Sequence, residues 1–70
     1  MEPYQQRVVD EKADLDVKLD ALTAFLESET RPSIHPKEHE RMQAQANAMQ
    51  EYSAILGRRI AAFTVKDTPG

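Results

Sequence analysis

Two apolar stripes with helical spacing, separated by a proline-rich break, constrain this chain most strongly. The first stripe advances by steps of three and four residues through Val8, Lys12, Leu15, Leu19, Leu22 and Leu26. The second uses the same steps through Met42, Ala46, Met49, Tyr52, Leu56, Ile60 and Phe63. Side chains with this spacing lie on one face of an α-helix. The pattern therefore predicts an all-α fold, an antiparallel two-helix hairpin.

Lys12 is the polar member of the first stripe. A lysine stem can pack along an apolar surface while its ammonium group reaches water. We therefore expect the Lys12 stem to follow the apolar face of the first helix without interrupting the stripe.

The prolines set the expected bounds of one domain. Helix one is predicted over about 3–29, because Pro3 suits a first helical turn, where a missing N–H costs nothing. The proline-rich turn covers 30–36, helix two about 36–63, and a frayed tail 64–70. Ser33 or His35 can cap helix two. Gly57 is a poor interior helix residue, so it marks either close packing or room for a ligand.

The expected core is thin, which favours self-association. The 70 residues are 40 % hydrophobic and 6 % aromatic, and none is cysteine, so no disulfide can staple the fold. Chains this short usually need a staple or a partner subunit. We therefore expect the hairpin to assemble into a homo-oligomeric helical bundle. The absence of cysteine, of a signal peptide and of a membrane-length apolar run favours a cytoplasmic protein without a membrane partner.

The charges argue against several functions. A net charge of −3 is unlike that of a protein that coats long nucleic acids. No serine has the His–Asp context of a nucleophile, and no cysteine is present, so we expect a non-enzyme without a cofactor. His35 and His39 have a metal-compatible spacing but no third ligand, which favours surface histidines over a metal site.

A small anionic ligand remains compatible with the sequence. In an antiparallel hairpin, Arg58 and Arg59 near the end of helix two come close to Tyr4 and Arg7 at the start of helix one. An aromatic face with arginines, repeated by oligomer symmetry, suits a nucleotide with its base and phosphate. The alternative is that these arginines simply complement the dipole at a helix C-terminus.

Two stretches of the sequence resemble a known family. One is Arg7-Val8-Val9-Asp10-Glu11-Lys12-Ala13-Asp14-Leu15, continued by Lys18-Leu19-Asp20-Ala21-Leu22-Thr23-Ala24-Phe25-Leu26, and the other runs from Met49 to Phe63. They resemble the phage anti-CBASS cyclic-oligonucleotide sponges, which are grouped with the hairpin domain of the anti-Thoeris sponges. The resemblance covers nearly the whole chain and is weakest in the turn.

The resemblance implies a non-enzymatic immune-evasion protein in the cytoplasm of the infected bacterium. Such a protein sequesters cyclic di- or trinucleotide messengers of bacterial defence, with cyclic ADP-ribose isomers as further candidates, in pockets between the protomers of a hexamer. Many members carry a lysine where this chain has Ala21, so phosphate contacts would come from Lys18, Arg7 or Lys12. The ligand-binding residues expected on this basis are Tyr4, Arg7, Val8, Glu11, Lys12, Lys18, Thr23, Arg58 and Arg59.

The residues alone, without the family resemblance, favour a different function. The hairpin would then be an interaction module for a protein or structured RNA, with no small ligand. Its docking faces would be Ala44 with Ala48, and the neutral polar stripe of Gln43, Asn47 and Gln50.

Overall fold

Two antiparallel helices make up the part of the chain that the structure describes. A computed structural model gives residues 2–28 and 33–64, with α1 at Pro3–Glu27 and α2 at Pro36–Thr64. Within these ranges there is no strand, so the prediction of an all-α chain with two helices is confirmed. Residue 29 at the expected end of helix one, residues 30–32 of the expected turn and residues 65–70 of the expected tail lie outside the described residues.

Local hydrogen bonds fix where both helices begin. Pro3 occupies the first position of α1, and the Glu2 N–H donates to Gln5 Oε1 at 2.8 Å. At the start of α2, the Lys37 N–H donates to His35 Nδ1 at 3.0 Å. His35 is therefore the residue whose side chain caps α2, which settles the choice between Ser33 and His35.

The two stripes face each other across the hairpin. Val8, Ala46 and Leu56 are the buried apolar residues of the described chain, and Leu56 is only 1 % exposed. Lys12 lies half-buried within its stripe, as expected, and its Cε is 3.4 Å from where a Cβ on Gly57 would lie. Gly57 thus marks the close packing of the lysine stem against α2.

The hairpin is a rod with a narrow apolar seam. Its principal extents are 57 × 18 × 17 Å and its radius of gyration is 16.3 Å, whereas a globular chain of this length has about 11 Å. Tyr4, Val17, Tyr52 and Ile55 are exposed by 40–69 %. No helix in the described ranges combines the length and apolarity needed to cross a membrane.

Candidate functional site

An open groove runs along one side of α1, and one side chain of α2 contributes to its lining. Its volume is about 480 Å³, and its lining residues are Arg7, Asp10, Glu11, Asp14, Leu15, Lys18 and Tyr52. Positions 7, 11, 14 and 18 recur at helical spacing, so their side chains share one face of α1. The groove brings together three of the expected ligand-binding residues: Arg7, Glu11 and Lys18.

The cations of the groove have no ion-pair partner among residues 2–28 and 33–64. The ion pairs in these ranges are Lys12–Asp16 at 2.7 Å, Lys37–Glu40 at 3.7 Å and Arg41–Glu38 at 2.8 Å. Arg7 and Lys18 take part in none of them and are exposed. Both side chains can therefore turn toward a ligand without breaking an ion pair among the described residues.

Lys12 is engaged elsewhere, in a polar network that joins the two helices. Its Nζ lies 2.7 Å from Asp16 Oδ2, and the Ser53 hydroxyl of α2 donates to Asp16 Oδ1 at 2.5 Å. The hydrogen bond from Lys12, and then that from Ser53, hold the pKa of Asp16 below its ordinary value of 3.8. A phosphate would have to compete with Asp16 for the Lys12 ammonium.

Tyr4 and Val8 contribute to packing near the N-terminus of α1. The Tyr4 ring meets Phe63 edge to face, with centroids 5.6 Å apart and an interplanar angle of 83°. Tyr4 is nevertheless 50 % exposed, so part of its ring remains open for stacking. Val8 is 6 % exposed and lies in the seam between the helices.

The hairpin register separates Thr23 from the expected arginines. The contacts Tyr4–Phe63, Lys12–Gly57 and Asp16–Ser53 place residues of α1 and α2 opposite each other when their numbers add to 67–69. Arg58 and Arg59 are exposed and lie level with residues 8–11, at the Tyr4 end of the rod.

Thr23 lies far from those arginines along the rod. At 1.5 Å per residue, it is about 20 Å along the axis from the level of Arg59. One small ligand on a single hairpin cannot touch both residues.

Tyr52 is the residue that α2 contributes to the groove lining, although the sequence pattern assigned it to the apolar seam alone. It is 42 % exposed at the Lys18 end of the groove. The tyrosine hydroxyl could have indicated a position at the edge of the seam, because a buried or half-buried tyrosine usually keeps its hydroxyl near water or a hydrogen-bond partner.

No metal site is formed by the part of the chain that the structure describes. In residues 2–28 and 33–64, no group of three or more His, Cys, Asp or Glu side chains could hold an ion. His35 uses Nδ1 to accept the Lys37 N–H, which gives that histidine a structural role.

Comparison with known proteins adds two matches. The family model described as Sequestin matches residues 2–62. An uncharacterized 7.5 kDa protein in the denB-rIIB intergenic region of Enterobacteria phage T4 is 38 % identical over 60 residues, which cover 86 % of this chain and 94 % of that protein. No solved structure matches the chain.

Proposed function

This chain belongs to the Sequestin family, and from that premise we propose that it works by sequestration. In this proposal it binds cyclic oligonucleotide second messengers of bacterial anti-phage defence tightly and sequesters them unchanged, in the cytoplasm of an infected host. The family's name supports sequestration, and the phage T4 relative supports the phage setting. Cyclic di- and trinucleotides are the first candidate ligands, with cyclic ADP-ribose isomers next.

The observation that carries the proposal is the groove with its unpaired cations. A volume of about 480 Å³ lies in the range of small-molecule sites. Arg7 and Lys18 supply groups that bind phosphate oxygens, and Tyr52 supplies a ring on which a base can stack. A ligand that combines bases with phosphates uses both kinds of group.

Binding without turnover fits the chemistry of the described residues. Ser53 is hydrogen-bonded to a carboxylate, but no histidine accompanies the pair. A serine nucleophile without a positioned base is weak. We therefore propose a protein without catalysis or a cofactor, acting neither on membranes nor on long nucleic acids.

Self-association completes the proposal. Among the described residues, one hairpin buries three apolar side chains and leaves Val17 69 % exposed, so further copies can cover the remaining apolar surface. We propose a homo-oligomer, with a hexamer favoured, in which Thr23 and Arg59 meet a common ligand only as residues of different copies. Pockets between copies would enclose a ligand that an open groove only contacts.

Thermal denaturation with a ligand panel tests this function. Cyclic di- and trinucleotides and cyclic ADP-ribose isomers are added to protein of measured mass. A bound ligand should raise the melting temperature, since binding to the folded state alone adds RT ln(1 + [L]/Kd) to stability. Denaturation should then release chemically intact ligand, identified by mass spectrometry. A panel without any shift would refute the proposal.

The surface of α2 favours one alternative, an interaction module. Ala44, Ala48 and Gln50 are exposed, and exposed Gln43 donates to Asn47 Oδ1 at 3.3 Å. This uncharged strip can receive another helix. The alternative predicts no ligand-induced shift and a specific partner lost on Ala48→Glu substitution, whereas sequestration predicts a shift that survives this change.

A further inference from the structure

The groove lining sets three carboxylates between two cations, an order that phosphate binding alone does not explain. Along the shared face of α1 the order is Arg7, Glu11, Asp14, Lys18, and Asp10 adds a third carboxylate to the lining. Two cations against three carboxylates leave the groove with a formal charge of −1. A site for phosphate alone would suffer repulsion from these carboxylates. A ligand that also offers hydrogen-bond donors next to a phosphate would use both kinds of group.

The same order disfavours the corresponding face of a second copy as the occupant. Antiparallel two-fold pairing centred on this stripe would set Arg7 against Lys18, and Glu11 against Asp14. Parallel pairing in register would set each residue against itself. Like charges face each other in both arrangements, which is destabilising.

Asp14 is the carboxylate best placed to meet a donor. Asp10 Oδ1 already accepts a hydrogen bond from Gln6 Nε2 at 3.0 Å. Asp14 has no hydrogen-bond or ion-pair partner among the described residues, although Lys18 lies one turn away. Its acceptor oxygens therefore remain available in the groove.

The helix register sets Asp14 beside the aromatic ring. The Asp16–Ser53 and Lys12–Gly57 contacts place Tyr52 level with residue 17 of α1. Lys18 is the next residue beyond that level. Asp14 lies three residues before the level of Tyr52, which is about 4.5 Å along the helix axis. An aromatic face, a free carboxylate and a free ammonium thus lie within about one helical turn.

We propose that Tyr52, Asp14 and Lys18 recognise a guanine nucleotide within the ligand, an inference that rests on the proposed function. The base stacks on Tyr52, the Asp14 carboxylate accepts hydrogen bonds from guanine N1–H and N2–H₂, and the Lys18 ammonium binds the adjoining phosphate. Guanine alone among the common bases presents two adjacent donors on its pairing edge. Adenine presents an acceptor, N1, which the carboxylate repels.

Titration calorimetry of the full chain with cyclic di-GMP and cyclic di-AMP tests this assignment. The wild-type chain should bind cyclic di-GMP at least about tenfold more tightly, since hydrogen bonds to a charged group are strong and unpaired ones costly. Asp14→Asn should weaken cyclic di-GMP about tenfold and leave cyclic di-AMP unchanged or tighter, because a carboxamide offers both a donor and an acceptor. Asp20→Asn, with the same charge change at an exposed position outside the groove lining, should alter neither.

The tyrosine variants separate stacking from folding. Tyr52→Phe keeps the ring and should keep the preference, whereas Tyr52→Ala should weaken cyclic di-GMP about five- to hundredfold at unchanged helix content. Equal wild-type affinity for the two ligands, or a preference that survives Asp14→Asn, would overturn the base assignment while binding itself supports sequestration. If neither these ligands nor other cyclic nucleotides bind, the proposed function fails and the assignment fails with it.

Discussion

Leu56→Ala measures how much the narrow seam stabilises the hairpin. Leu56 is 1 % exposed, so the substitution removes buried methyl groups and leaves a cavity. Leucine-to-alanine changes in cores cost about 2–5 kcal/mol of folding stability. In this narrow rod α2 can settle toward α1 and partly fill the cavity, so we expect Leu56→Ala to cost about 2–3 kcal/mol. A chain of this length has a total stability of roughly 3.5–10 kcal/mol. The variant should therefore lose a large fraction of its stability.

Urea unfolding followed by far-ultraviolet circular dichroism is the assay, at two protein concentrations. Ile55→Ala is the matched control, because it changes the neighbouring residue of the same helix at a position that is 40 % exposed. A lone hairpin should lose about 1 kcal/mol or less from this control. A cost equal to that of Leu56→Ala would mean that another copy covers Ile55. A Leu56→Ala cost below about 1 kcal/mol would refute the assignment of the core.

Three further predictions concern single contacts. Gly57→Ala should stabilise the chain by about 0.5–1 kcal/mol, because alanine favours helix and its Cβ would meet only the flexible end of Lys12, at 3.4 Å. Asp16→Asn should destabilise the chain near neutral pH but not in acid. The folded-state pKa of Asp16 is lowered, so its contribution is present above the ordinary value of 3.8 and is lost as the pH falls through the folded-state pKa. His35→Ala should cost about 1 kcal/mol by leaving the Lys37 N–H uncapped, and His35→Asn should restore most of it.

Urea unfolding checks all three, with pH as a second variable for Asp16→Asn. A destabilising Gly57→Ala would show that the Lys12 stem cannot move. A difference between wild type and Asp16→Asn that stayed constant from neutral pH to well below 3.8 would contradict the lowered pKa. Equal stability of wild type and His35→Ala would show that water replaces the cap.

The helices could be predicted because each depends on local spacing. The steps of three and four residues in both stripes, together with Pro3 and Pro36, specify each helix independently of how the two helices pack. The stripe also predicted that the Lys12 stem lies along an apolar surface, whereas the contact of that stem with Gly57 came from the structure.

The groove could not be predicted, because it depends on the register between the helices. The Asp16–Ser53 hydrogen bond joins residues 37 apart in sequence, and no local pattern specifies such a pairing. The same register decides that Tyr52 lies at the open edge of the seam and that Leu56, one turn later, is enclosed. It also separates Thr23 from Arg59, two residues that the resemblance assigns to ligand contact.

We propose that several hairpins join to complete pockets that one hairpin leaves open. Light scattering on the full chain at micromolar concentration measures the mass of the assembled particle. We expect a particle several times the 7.9 kDa mass of one chain, with six copies favoured. A folded, stable particle with the mass of a single chain would contradict it.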